Sequence, residues 1–128
     1  MTSISPEEDV KPSILYVDDE RYARQAFAFA FRESYPIVLA NNIEEGVSIL
    51  GSSAIGVLVS NISNNTEEVY EALKSIKETN SEIVRIMVTP PTEHDTIMRF
   101  VGEGLVARYI LKPWKREELE PILKWAME

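Results

Sequence analysis

Short apolar runs alternate along this chain with longer segments in which apolar residues recur at helical spacing. The short runs fall at 14–17, 37–39, 56–59, 83–88 and 109–111, rich in Ile, Val and Leu. Near-continuous apolar runs of this length fit strands buried on both faces. Between them, Ala23, Ala26, Phe27 and Ala30 repeat at i, i+3, i+4 and i+7. Ile43, Val47 and Leu50 mark a second helix, and Val69, Leu73 and Ile76 a third. Ile97, Phe100 and Val101 mark a fourth, and Leu119, Ile122, Leu123 and Ala126 a fifth. Such stripes predict one buried face per helix. Asn42 with Glu45, and Thr92 with Asp95, have the spacing of a helix-start capping box. Gly102 and Gly104 supply a stop for the fourth helix. Pro121 is awkward inside the fifth, so that helix is expected to start late or to kink.

Five strands alternating with five helices predict an α/β fold: a doubly wound, five-stranded parallel sheet, (βα)5, with helices on both faces. The length of 128 residues suits a single domain. Residues 1–13 are polar, include Pro6 and Pro12, and are expected to form a flexible arm before a domain at 14–128. In such sheets ligands bind beyond the carboxyl ends of the strands. The polar residues there are Asp18 and Asp19 after the first strand, Asn61 after the third, Thr89 after the fourth and Lys112 after the fifth.

Composition narrows the chemistry. There is no cysteine, which excludes disulfides, thiolate metal sites and cysteine nucleophiles. The net charge of −8 argues against direct nucleic-acid binding, which is driven by phosphate neutralisation, and against an anionic membrane surface. No apolar run approaches the roughly 20 residues of a membrane span. The first residues carry neither a basic start nor an apolar stretch. A cytoplasmic location is the expectation.

The strand-end residues form a recognisable set. Val17-Asp18-Asp19-Glu20, Ser60-Asn61, Thr89 and Tyr109-Ile110-Leu111-Lys112-Pro113-Trp114 occur in order, each at a strand end. Together they resemble the receiver domain of two-component response regulators, over about residues 14 to 126. The resemblance implies a flavodoxin-like fold. It also implies that Asp18 and Asp19 hold Mg²⁺, that Thr89 is the switch hydroxyl, and that Lys112 pairs with a phosphoryl group. The Lys112-Pro113 bond is expected to be cis, and Tyr109 to swing inward with the hydroxyl.

In receivers an aspartate after the third strand accepts the phosphoryl group from a histidine kinase. Here that place holds Asn61. An amide oxygen is a poor nucleophile and gives no acyl phosphate. Losing one of three carboxylates should also weaken Mg²⁺, which prefers hard, charged oxygen ligands. Other departures cluster nearby: Asn65 and Val69 stand where receivers often carry Pro and Gly, and Pro90-Pro91 follows Thr89.

The expected function is therefore a pseudo-receiver: a signalling module, not an enzyme, that acts through protein–protein contacts without aspartyl phosphorylation. Its expected cofactor is none, with weak Mg²⁺ binding possible. Its expected partners are a histidine kinase or an output protein, with a homodimer through the fourth and fifth helices as one possibility. Interface candidates are Phe29, Tyr109 and Trp125, the first and last lying off their helix stripes. One alternative is a phosphorylatable, Mg²⁺-dependent receiver with another acceptor, for which Ser60 and Ser63 are the nearby hydroxyls. Another is a regulatory domain of a longer kinase or cyclic-dinucleotide enzyme. Plainer roles compete at each position. Asp18 and Asp19 can serve as helix-start acids. Lys112 can serve as a structural partner for Asp18, Asp19 or Asn61. Tyr109 can be ordinary strand packing, and His94 a solvated side chain.

Overall fold

The computed structural model of the protein describes residues 12–62 and 65–128. Most of the expected arm, and Ser63, therefore lie outside the described residues. Strands β1 (Ser13–Val17), β2 (Ile37–Ala40), β3 (Ile55–Asn61), β4 (Val84–Thr89) and β5 (Arg108–Leu111) form one sheet. All neighbours pair in parallel, in the order β2-β1-β3-β4-β5. The helices are α1 (Arg21–Phe31), α2 (Ile43–Leu50), α3 (Thr66–Thr79), α4 (His94–Gly102) and α5 (Arg116–Met127).

Because successive strand residues point to opposite faces, each strand feeds two cores. Leu15 and Val17 of β1, Leu58 of β3 and Met87 of β4 meet Ile43, Val69, Leu73, Ile76, Ile97 and Phe100, from α2, α3 and α4. Ile14 and Tyr16, Val57 and Val59, and Ile86 and Val88 meet Phe27, Phe31, Leu119 and Leu123, from α1 and α5. This is the doubly wound α/β arrangement. It sets the C-terminal ends of β1, β3, β4 and β5 side by side.

Most of the helical stripes lie on the core, with exceptions that have local causes. In α2 Gly46 is buried along with Ile43, while Val47 is exposed. A Cβ on Gly46 would stand 2.9 Å from Val17 Cγ2, so the glycine lets α2 sit close against β1. Ala26 of α1 and Val101 of α4 are also exposed.

The start of α2 is as expected: Asn42 Oδ1 accepts the Glu45 amide at 2.8 Å. Glu45 reaches back one residue further than the motif requires, to the Asn41 amide at 2.7 Å. Thr92 does not cap α4. It lies in a 3-10 turn, Pro91–Glu93, and α4 begins at His94 without a side-chain cap. The fourth-helix stop is as expected, with α4 ending at Gly102 and Gly104 at φ 70°. α5 does not start late: it begins at Arg116 and carries Pro121 in its second turn. Glu118 Oε1 steadies that start by accepting the Lys115 amide at 3.0 Å.

Candidate functional site

The site lies at the sheet's C-terminal edge, and β1 and β3 build its centre. Val17 pairs with Ser60, so Asp18 and Asn61 come next on adjacent strands. Asp18 is only 2% exposed. A carboxylate buried this deeply needs donors, and three reach it. Lys112 Nζ, from just beyond β5, donates to Oδ2 at 2.8 Å. Tyr16 Oη donates to the same oxygen, also at 2.8 Å. The Glu20 amide donates to Oδ1 at 3.0 Å. Arg24 of α1 adds a bond from Nη1 to the Asp18 carbonyl oxygen at 2.8 Å, tying the helix to the strand end.

Tyr16 is a member of this site that the sequence reading did not single out. Two residues before Asp18 on a strand, it shares that residue's face by the period-two rule. Its ring is wholly buried and stacks on Phe27, with centroids 4.3 Å apart. Trp114 packs edge-on to Phe27 at 6.1 Å and tilted against Phe31 at 5.8 Å. Burial and the neighbouring Asp18 carboxylate push the Tyr16 phenol far above its ordinary range. Tyr16 therefore stays a hydrogen-bond donor throughout the physiological pH range.

Asn61 is 7% exposed, and its Oδ1 is buried with no hydrogen-bond partner among the described residues. Lys112 does not reach it, being held by Asp18. Thr89 is fully buried, and its Oγ1 donates to the Ile62 carbonyl at 3.2 Å. The Lys112-Pro113 peptide is cis. Tyr109 is exposed at the sheet edge, so in this structure it points away from the pocket. Ser60 is buried and faces the side of β3 opposite Asn61. Asp19 is exposed and has no hydrogen bond or ion pair to another described residue. His94 is an exposed residue heading α4. The structure thus brings together Asp18, Asn61, Thr89 and Lys112, leaves Asp19 at the rim, and sets Tyr109 outside.

Among the described residues, no group of three or more acids or histidines is placed to hold a metal ion. Mg²⁺ demands near-octahedral oxygen ligands at about 2.0–2.1 Å. The donors on Asp18 occupy most of a carboxylate's roughly four lone-pair positions. What remains is one rim carboxylate, Asp19, and one neutral amide oxygen, Asn61 Oδ1. That set does not fit a dedicated Mg²⁺ site.

The outer surfaces carry the interface candidates. Phe29 of α1 is 76% exposed, with the Arg32 guanidinium 5.5 Å from its ring centroid. Trp125 of α5 is half-exposed beneath the Arg108 guanidinium, 4.1 Å from its ring centroid. Met98 and Val101 of α4, and Tyr109 and Leu111 of β5, are exposed to a similar degree.

Arg99 links α4 to α3. It pairs with Glu67 at 2.8 Å, lies 3.9 Å over the Tyr70 ring, and meets Glu103 at 3.6 Å. Tyr70 also donates to Glu103, and Lys77 Nζ donates to the Glu103 carbonyl at 2.8 Å. This bracket joins parts too far apart in sequence for a local motif to have announced it.

Known proteins place this arrangement. The chain is 28% identical over 120 residues to the hydrogenase transcriptional regulatory protein HoxA of Cupriavidus necator, covering 94% of this chain and 25% of that protein. A HoxA from Bradyrhizobium diazoefficiens is 24% identical, with 93% of this chain and 24% of that one covered. The chain thus spans about a quarter of the length of these relatives. A response regulator from Thermotoga maritima superposes with a TM-score of 0.81 at 22% identity, covering 92% of this chain and 98% of that one. An adenylate cyclase structure from Rhodopirellula baltica gives 0.83 at 18% identity, covering 92% and 88%. At such identities the structural matches show the fold alone. The family model of the response regulator receiver domain matches residues 14–124, nearly the whole described chain. The chain belongs to the response regulator receiver domain family.

Proposed function

We propose that this receiver domain signals through protein–protein contacts and is not switched by aspartyl phosphorylation. The observation that carries the reading is Asn61 at the end of β3, in the acceptor's place. The surroundings support it. Lys112, which would pair with a phosphoryl group, is committed to Asp18. Ser60, the hydroxyl beside Asn61, faces the opposite side of the strand. Pro90 and Pro91 follow Thr89 directly and limit the backbone freedom of the segment that would move with it.

Such a domain is a binding module and not a catalyst. Its output face is the one formed by α4, β5 and α5, where Met98, Val101, Tyr109, Leu111 and Trp125 leave apolar surface exposed. Aromatic residues are favoured anchors at interfaces. The partner is a histidine kinase or an output protein, or a second copy of the chain. The −8 net charge argues against nucleic acid as a direct partner. The same reading holds if the domain works as part of a longer regulator, as the HoxA matches suggest. A cytoplasmic site of action follows from this role.

A ligand shifts an equilibrium only through differential affinity for its states. Without a phosphoryl group the output face rests in one state and binds constitutively. The test measures self-association and partner binding with and without Mg²⁺ and beryllofluoride, a phosphoryl mimic. Affinity unchanged by the mimic, and lost in Trp125→Ala, is the expected result. A large gain on adding the mimic would favour a working switch instead.

A further inference from the structure

Asp18 is the one buried acid among the described residues, and two side-chain donors meet on one of its oxygens. A buried carboxylate beside a second acid normally calls for a cation. Here Asp18 Oδ2 already holds an ammonium and a phenol, Lys112 and Tyr16, each at 2.8 Å. Oδ1 holds the Glu20 amide at 3.0 Å. The phenol is the less replaceable of the two Oδ2 donors. Lys112 ends a flexible stem and can swing away, whereas the Tyr16 ring is wedged against Phe27 at 4.3 Å within a fully buried aromatic cluster. Its hydroxyl cannot leave Asp18 without disturbing that packing.

We infer that Tyr16, with Lys112, stands in for a divalent cation at Asp18, so that a carboxylate restored at position 61 does not by itself restore a Mg²⁺ site. Tyr16 is thereby a positioning residue: it fixes the Asp18 carboxylate toward the protein interior and sets the pocket's preference against metal. This inference deepens the phosphorylation-independent reading and rests on it for its setting. The two can still fail separately, because metal affinity and covalent phosphorylation are read independently.

The experiment titrates the chelator-treated 128-residue chain with MgCl₂. It follows the heat of binding by calorimetry and the backbone amide shifts of residues around Asp18 by NMR. The proteins compared are wild type, Asn61→Asp, Tyr16→Phe and the Asn61→Asp/Tyr16→Phe pair. Tyr16→Phe keeps the ring on Phe27 and removes only the donor. Wild type is expected to stay unsaturated at millimolar Mg²⁺. The double variant is expected to bind at least about tenfold more tightly than Asn61→Asp alone. Asn61→Asp and the double variant agreeing within about twofold would overturn the inference. So would a wild type that saturates at low millimolar Mg²⁺. If the double variant does not fold, Asn61→Asp/Lys112→Met removes the other donor from the same oxygen and is held to the same comparison.

Discussion

Replacing Asn61 with aspartate should destabilise the metal-free protein. The change puts a carboxylate at a position 7% exposed, one residue beyond the Val17–Ser60 pairing and therefore beside Asp18. Paired strands run about 4.8 Å apart. Two carboxylates about 6 Å apart repel by about 3 kcal/mol at an effective dielectric of about 20. Lys112 offsets only part of this, because it is held by Asp18. A net penalty of about 1–2 kcal/mol remains. For a chain of this length that is a fall of about 4–8 °C in Tm.

The pH dependence follows from linkage. The new carboxyl has its folded pKa raised above the unfolded value of about 3.9. At low pH both states are protonated and the penalty is absent. It grows as pH rises through the unfolded value and levels off above the raised folded one. Urea unfolding of wild type and Asn61→Asp in chelator, from about pH 7 down to about pH 4.5, should therefore show the gap closing toward acid. Equal or greater stability of the variant at neutral pH would refute the reasoning, as would a gap that widens on acidification.

Two further changes test the packing. Gly46→Ala places a methyl 2.9 Å from Val17 Cγ2. Overpacking of about 1–3 kcal/mol against a helix-propensity gain of about 1 kcal/mol predicts a net loss of about 1 kcal/mol in urea unfolding, and a stabilised variant would contradict it. Arg99→Glu removes the Arg99 contacts of the bracket between α3 and α4, leaving Tyr70 and Lys77 on Glu103, and places an acid near Glu67 and Glu103. Amide hydrogen exchange should speed up across α4 and stay unchanged in α1; unaltered protection of α4 would show that the bracket does not hold it.

Much of this molecule was legible in its pattern of residues, for reasons the structure makes plain. Buried parallel strands need apolar side chains on both faces, so 14–17, 56–59 and 83–88 stood out. Once five strands alternated with helices, the sheet topology put Asp18, Asn61, Thr89 and Lys112 at one edge, and there they are found. The pattern failed where one residue answers to a neighbour across space. Gly46 is buried and Val47 exposed because α2 presses on Val17, a contact that helical periodicity does not encode. Thr92 has capping-box spacing, but the segment after Pro90 first takes a 3-10 turn. Tyr16 read as one more apolar strand residue. The signal that could have found it is the hydroxyl two positions before an acid at a strand end, where period two aims both at the same pocket. The direction of Tyr109 and the Arg99 bracket depend on tertiary packing, and no local spacing announces them.

Whether the chain accepts a phosphoryl group decides the account most directly. Purified protein is incubated with Mg²⁺ and acetyl phosphate, and its intact mass is read beside that of Asn61→Asp. The account predicts no added phosphate on the native chain. A stoichiometric adduct on the native chain, stable in acid and labile in base as an acyl phosphate is, would contradict it.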